Sequence, residues 1–119
     1  MNQLNFIERI EQTQNPTAMI IYNITTKVNS AIATNWLQWM QTEHIPEVMA
    51  TGCFTEFKIV RLLEADDSEG PTYAVQYHAA DLEVLQRYRQ QHAPALAAAA
   101  FDRWGDGFIS FRSVMQVIS

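Results

Sequence analysis

The sequence predicts an α+β domain whose elements run strand, helix, strand, strand, helix, strand. Three observations predict it. Strand-like runs rich in β-branched and aromatic residues recur at Met19–Val28, Phe54–Glu64, Thr72–Ala79 and Phe108–Ile118. An amphipathic helical stretch separates the first run from the second and the third from the fourth. Each of these stretches nears its end with a histidine, one apolar residue and a proline: His44-Ile45-Pro46 and His92-Ala93-Pro94.

The first run places Ile20, Tyr22, Ile24, Thr26 and Val28 on one face and Ile21, Asn23, Thr25 and Lys27 on the other. Asn29-Ser30 supplies caps for a helix from about Ala31 to His44. Ile32, Trp36, Trp39, Met40 and His44 form its stripe. Proline disfavours helical geometry in the residue before it, so Ile45-Pro46 is expected to end or kink that helix. Pro46 also suits the first position of a short continuation, Glu47–Ala50. Gly52 can take the left-handed conformation that closes a helix.

The second strand leaves its faces ambiguous, since Phe57, Ile59 and Leu63 oppose Phe54, Val60 and Leu62. An acidic turn with Gly-Pro punctuation, Ala65–Pro71, makes the second and third strands a hairpin. Asp81 caps a helix carrying Leu82, Leu85, Tyr88 and His92. Pro94 interrupts it before the alanine-rich segment Ala95–Arg103, and Gly105-Asp106-Gly107 stops that segment. The last strand carries Ile109, Phe111, Met115 and Val117 on one face and Phe108, Ser110, Arg112 and Val114 on the other.

Two βαβ-like halves with right-handed crossovers put both helices on one face of a four-stranded antiparallel sheet. This is the ferredoxin-like βαββαβ architecture. The even face of the first strand, with Tyr73, Val75, Tyr77 and the odd face of the last, is expected beneath the helices. The other face would carry Ile21, Asn23, Thr25, Gln76, His78, Phe108, Ser110, Arg112 and Val114. That mixture is too apolar for plain solvent exposure. The expectation is a twofold homodimer with its sheets face to face, a dimeric α/β barrel.

Size and charge narrow the function. The chain has 119 residues, 48% apolar and 18% charged, with a net charge of -5. That is one globular domain with a real core. Eight scattered basic residues do not make a nucleic-acid surface. No apolar run reaches the length of a membrane span, the start lacks the pattern of a signal peptide, and the single Cys53 cannot form an intrachain disulfide. These features favour a cytoplasmic setting. Residues 1–18 read as a loose polar leader, with Met19 a candidate for the true start and 19–119 the domain.

Several side chains are candidates for ligand binding. His44, beside Glu43, reads either as a general base or as a histidine favoured by the helix C-terminal dipole. His92, at the echo position, reads as a helix-end device. Asn23, Gln76, His78 and Arg112 fall together on the mixed face, where they suit a small polar or anionic ligand or a hydrogen-bonded dimer interface. Arg61 joins them if the second strand presents its odd face. No ligand spacing supports a metal, no cofactor motif is present and no catalytic residue can be assigned.

The stretches Met19–Asn23, Trp36–Met40, Glu43–Gly52, Thr72–Tyr77, His92–Pro94 and Phe108–Arg112 resemble an uncharacterised bacterial domain-of-unknown-function family. More loosely, the domain is similar to the dimeric α/β-barrel superfamily. That resemblance implies the fold and a homodimer. It reaches cofactor-free monooxygenases, cyclases and isomerases, but none of their catalytic motifs maps onto this chain. Two readings stand: a binding protein for a small molecule or partner, or a cofactor-free enzyme using His78 or His44 as base and Arg112 or Arg61 as anion holder.

Overall fold

The computed structural model describes residues 18–119. The leader expected over 1–18 therefore lies, apart from Ala18, outside the described residues. The strands are β1 (Ile20–Val28), β2 (Glu56–Arg61), β3 (Thr72–Ala79) and β4 (Phe108–Gln116). The helices are α1 (Ala33–Trp39), α2 (Ile45–Ala50), α3 (Leu82–Gln91) and α4 (Ala93–Trp104), with a π turn, Met40–His44, joining α1 to α2. The sheet order is β2-β3-β1-β4, with every pair antiparallel. This is the expected ferredoxin-like topology.

Local chemistry accounts for most of the boundaries. The Asp81 carboxylate accepts from the Val84 N–H at 2.9 Å and starts α3. Gly52 has φ +76 and closes α2, as its position suggests. Asn29 acts where expected, its Oδ1 accepting from the Ala31 N–H at 2.9 Å, but the helix proper begins two residues later, at Ala33. Ser30 caps nothing and donates instead to the Glu69 carbonyl at 2.9 Å, tying the acidic turn to the end of β1.

The two prolines act differently. Pro94 follows a true break, because His92 sits at φ -123, ψ -40 between α3 and α4. Pro46 breaks nothing. Ile45 stays helical at φ -59, ψ -44, and its N–H bonds the Met40 carbonyl five residues back. The wider π register absorbs the proline, and the missing Pro46 N–H falls in the first turn of α2.

The core lies between the helices and one sheet face. Tyr22, Phe54, Tyr77 and Tyr88 form its aromatic centre, with ring centroids 4.7 Å apart for Phe54–Tyr88 and 5.0 Å for Phe54–Tyr77. Contacts of this kind add about 0.5–1.5 kcal/mol beyond area burial. Val28, Ile45, Val48 and Leu85 are fully buried around it.

One face assignment needs correction. Across the β1–β4 pair, Val28 opposes Phe108, Thr26 opposes Ser110, Ile24 opposes Arg112 and Tyr22 opposes Val114. The even residues of β4 therefore share the helix side with the even residues of β1. The odd residues Ile109, Phe111, Ser113 and Met115 lie on the open face. The alternation favoured the reverse because Ile109, Phe111 and Met115 are the more apolar set. β4 is an edge strand, however, and the helices leave a cavity over it, so Ser110 and Arg112 can face inward. The ambiguity of β2 also resolves. Phe57, Ile59 and Arg61 take the helix side, and Glu56, Lys58 and Val60 take the open face.

Candidate functional site

Between the helix side of the sheet and the helices lies a cavity of about 400 Å³. Its sheet wall is Tyr22, Ile24 and Thr26 from β1, Val75 and Tyr77 from β3, and Phe108, Ser110 and Arg112 from β4. Trp36, Trp39, Met40 and His44 come from the first helical stretch. Tyr88 and Arg89 come from α3, and Ala93, Pro94, Leu96, Ala97 and Ala100 from α4. A mostly apolar wall carrying a few polar groups is the usual form of a small-molecule site.

The π turn aims His44 into this cavity. In a regular helix, residues five apart diverge around the axis. In the π register they come close to overlying, and the His44 ring stacks on Trp39 at 4.8 Å. Burial lowers the His44 pKa from its ordinary value of 6.5. Its Nδ1 is shut off from solvent and has no hydrogen-bond partner among the described residues. The ring is therefore neutral at pH 7.

Arg112 reaches the cavity by the register that sets it opposite Ile24. Beside it, the Thr26 and Ser110 hydroxyls are 2.8 Å apart. The Tyr88 phenol is pushed up to about 12, chiefly by burial, with Tyr22 adding to the shift and Arg112 opposing it. Burial raises the Tyr77 phenol as well. The Arg89 guanidinium lies 5.1 Å from the Tyr22 ring centroid, a cation–π distance.

The remaining candidates lie elsewhere. Asn23, Gln76 and His78 are on the open face, so the group expected with Arg112 is divided between the two sides of the sheet. The Asn23 amide donates to the Thr25 hydroxyl at 3.0 Å. His78 Nδ1 lies 3.1 Å from a Glu56 carboxylate oxygen, close enough for ion pairing but without the angle of a hydrogen bond. Arg61 pairs with Asp67 at 2.9 Å, half exposed and outside the cavity. His92 marks the α3–α4 break. Cys53 is buried in the core. Among the described residues, no three metal-ligating side chains come together, and no helix is long and apolar enough to cross a membrane.

Arg89 was missed in the sequence. The helical stripe was followed through Leu85, Tyr88 and His92, yet Arg89 is four residues after Leu85 and shares that face. A charged residue on an apolar stripe was the available signal.

A family model matches residues 19–118, nearly all of this architecture. The chain belongs to the family described as Domain of unknown function (DUF4286). No curated protein matches this DUF4286 chain. Solved structures similar to it share its fold at low identity. SnoaB from Streptomyces nogalater, described as a cofactor-independent oxygenase, is 13% identical with a TM-score of 0.62, covering 84% of this chain and 93% of SnoaB. An ethyl tert-butyl ether d (ethd) family protein from Bacillus halodurans is 14% identical with a TM-score of 0.59, covering 79% and 96%. A dimeric ferredoxin-like protein from an uncultured marine organism is 10% identical with a TM-score of 0.59, covering 86% and 97%.

Proposed function

We propose that this DUF4286 domain binds a small molecule in the cavity between its sheet and helices. The observation that carries the reading is the chamber itself, mostly apolar but lined by His44, Arg89 and Arg112. A few polar groups on a largely apolar wall fix the orientation of a bound molecule. Native mass spectrometry of the protein from its own cells tests this. A bound small molecule retained by the wild type and lost from His44→Phe supports it. A chain that carries no compound and gains no thermal stability from any member of a broad metabolite library overturns it.

A second reading makes His44 a proton acceptor for cofactor-free chemistry. A neutral imidazole is the correct protonation state for a base, and an arginine on the same cavity wall suits an anionic product. The oxygenase SnoaB has the same fold, which is compatible with such chemistry but does not imply it. Proton exchange of an aryl β-diketone in deuterium oxide separates the readings. Exchange faster with wild type than with His44→Gln favours the enzyme, and equal rates favour binding alone.

The domain is further proposed to act as a homodimer paired through its open sheet face. Ile109, Phe111 and Met115 are exposed there at 57%, 64% and 37%, an apolar stripe that a second copy would cover. The marine ferredoxin-like protein is described as dimeric.

A further inference from the structure

We propose that the ligand of the cavity is a planar aromatic carboxylate, its rings against the aromatic wall and its carboxylate on Arg89 and Arg112. This rests on the cavity being a ligand site and names the class of molecule it takes.

Charge carries the first half of the argument. The chain has thirteen acidic residues against eight Lys and Arg, yet two arginines and no carboxylate line the cavity. The salt-bridge contacts among the described residues join Arg61 to Asp67 and His78 to Glu56, so neither cavity arginine is in one. Tyr77 and Tyr88, with their raised pKa values, stay neutral at physiological pH and supply no anion. Only the face of the Arg89 guanidinium is engaged, by the Tyr22 ring, which leaves N–H donors for a carboxylate. An acidic protein that gathers unpaired positive charge in a half-closed chamber is complementary to an anion.

Shape carries the second half. Aromatic rings reach the cavity from the sheet (Tyr22, Tyr77, Phe108), from α1 (Trp36, Trp39) and from α3 (Tyr88), while α4 contributes the short side chains Ala93, Ala97 and Ala100. A chamber presenting many flat rings, with space left open by the methyl groups of α4, suits a flat body better than a branched one. Aromatic rings also gain from offset or edge-on contacts with those indoles and phenols.

The test is calorimetric titration of the full chain with naphthoate, naphthamide and octanoate. The expected order puts naphthoate about tenfold or more tighter than the uncharged amide, the size of a charge-assisted hydrogen bond. It also binds tighter than octanoate and weakens as salt is raised. Arg112→Gln and Arg89→Gln should each lose about tenfold for naphthoate and little for naphthamide, while Arg112→Lys retains part of the affinity. Equal binding of naphthoate and naphthamide overturns the anion assignment and leaves the cavity reading standing. Octanoate binding as tightly as naphthoate overturns the aromatic assignment. A folded protein that binds none of the three overturns this inference, and the metabolite library then decides the cavity reading separately.

Discussion

Arg112 lies directly opposite Ile24 across the β1–β4 ladder, and that pairing puts its side chain on the same side of the sheet as the helices. Had β4 slipped by one residue, Phe111 would face the cavity and Arg112 the open face. The pairing thus separates two surfaces of different chemistry: a chamber lined by Arg89, Arg112 and His44, and an apolar stripe of Ile109, Phe111 and Met115.

The stripe predicts where association fails. Phe111→Glu should leave a folded monomer, whereas Val114→Glu, on the opposite side of the same strand, should leave association intact. Sedimentation equilibrium of the 13.6 kDa chain at micromolar concentration checks both variants. A wild type that sediments as a monomer refutes the dimer.

His44 predicts a pH dependence. Its folded-state pKa lies below the ordinary value of 6.5, so the unfolded chain takes up its proton first as the pH falls. The contribution is therefore neutral at higher pH and turns against the fold as the pH drops below 6.5. Urea unfolding between pH 7.5 and 5 should show stability falling more steeply for wild type than for His44→Gln. Parallel curves would mean that His44 protonates freely in the folded state.

The aromatic centre predicts the largest core effect. Phe54 is buried against Tyr22, Tyr77 and Tyr88, so Phe54→Ala should cost about 3–5 kcal/mol. Chemical denaturation measures it. A cost under about 1 kcal/mol would mean that the rings repack without it.

Gly70 predicts a backbone effect of similar size. It sits at φ +149, and an added Cβ would fall on the Val28 carbonyl oxygen. Gly70→Ala should destabilise by about 3 kcal/mol or more and loosen the acidic turn from β1. Arg61→Ala, which removes only the exposed pair with Asp67, should change stability by less than about 1 kcal/mol.

The sequence made the fold legible because each element carried its own local signal. Alternation marked the strands, Asp81 the start of α3, Gly52 the end of α2, and the Gly-Pro turn the hairpin. The site was legible only in part. His44 and Arg112 were both recognised as candidates, but they were assigned to different places, since alternation says which residues share a face and not which face is inside. On β4 the apolar count pointed the wrong way, because a strand beneath a cavity need not present its greasier side to it. Pro46 rightly marked the start of a short helical continuation but misled as to a break, for a related reason. A proline signals a break only while hydrogen bonds run four residues back, and the π turn that restores them, and also orients His44, depends on packing across the whole helix.

The most direct test is an amide and side-chain NMR titration of the labelled protein with naphthoate. Perturbations should concentrate at His44, Arg89, Arg112 and the indole of Trp39, and should need about tenfold more naphthoate in Arg112→Gln. Perturbations centred instead on Asn23, Gln76 and His78 would place the ligand on the open face and contradict the account.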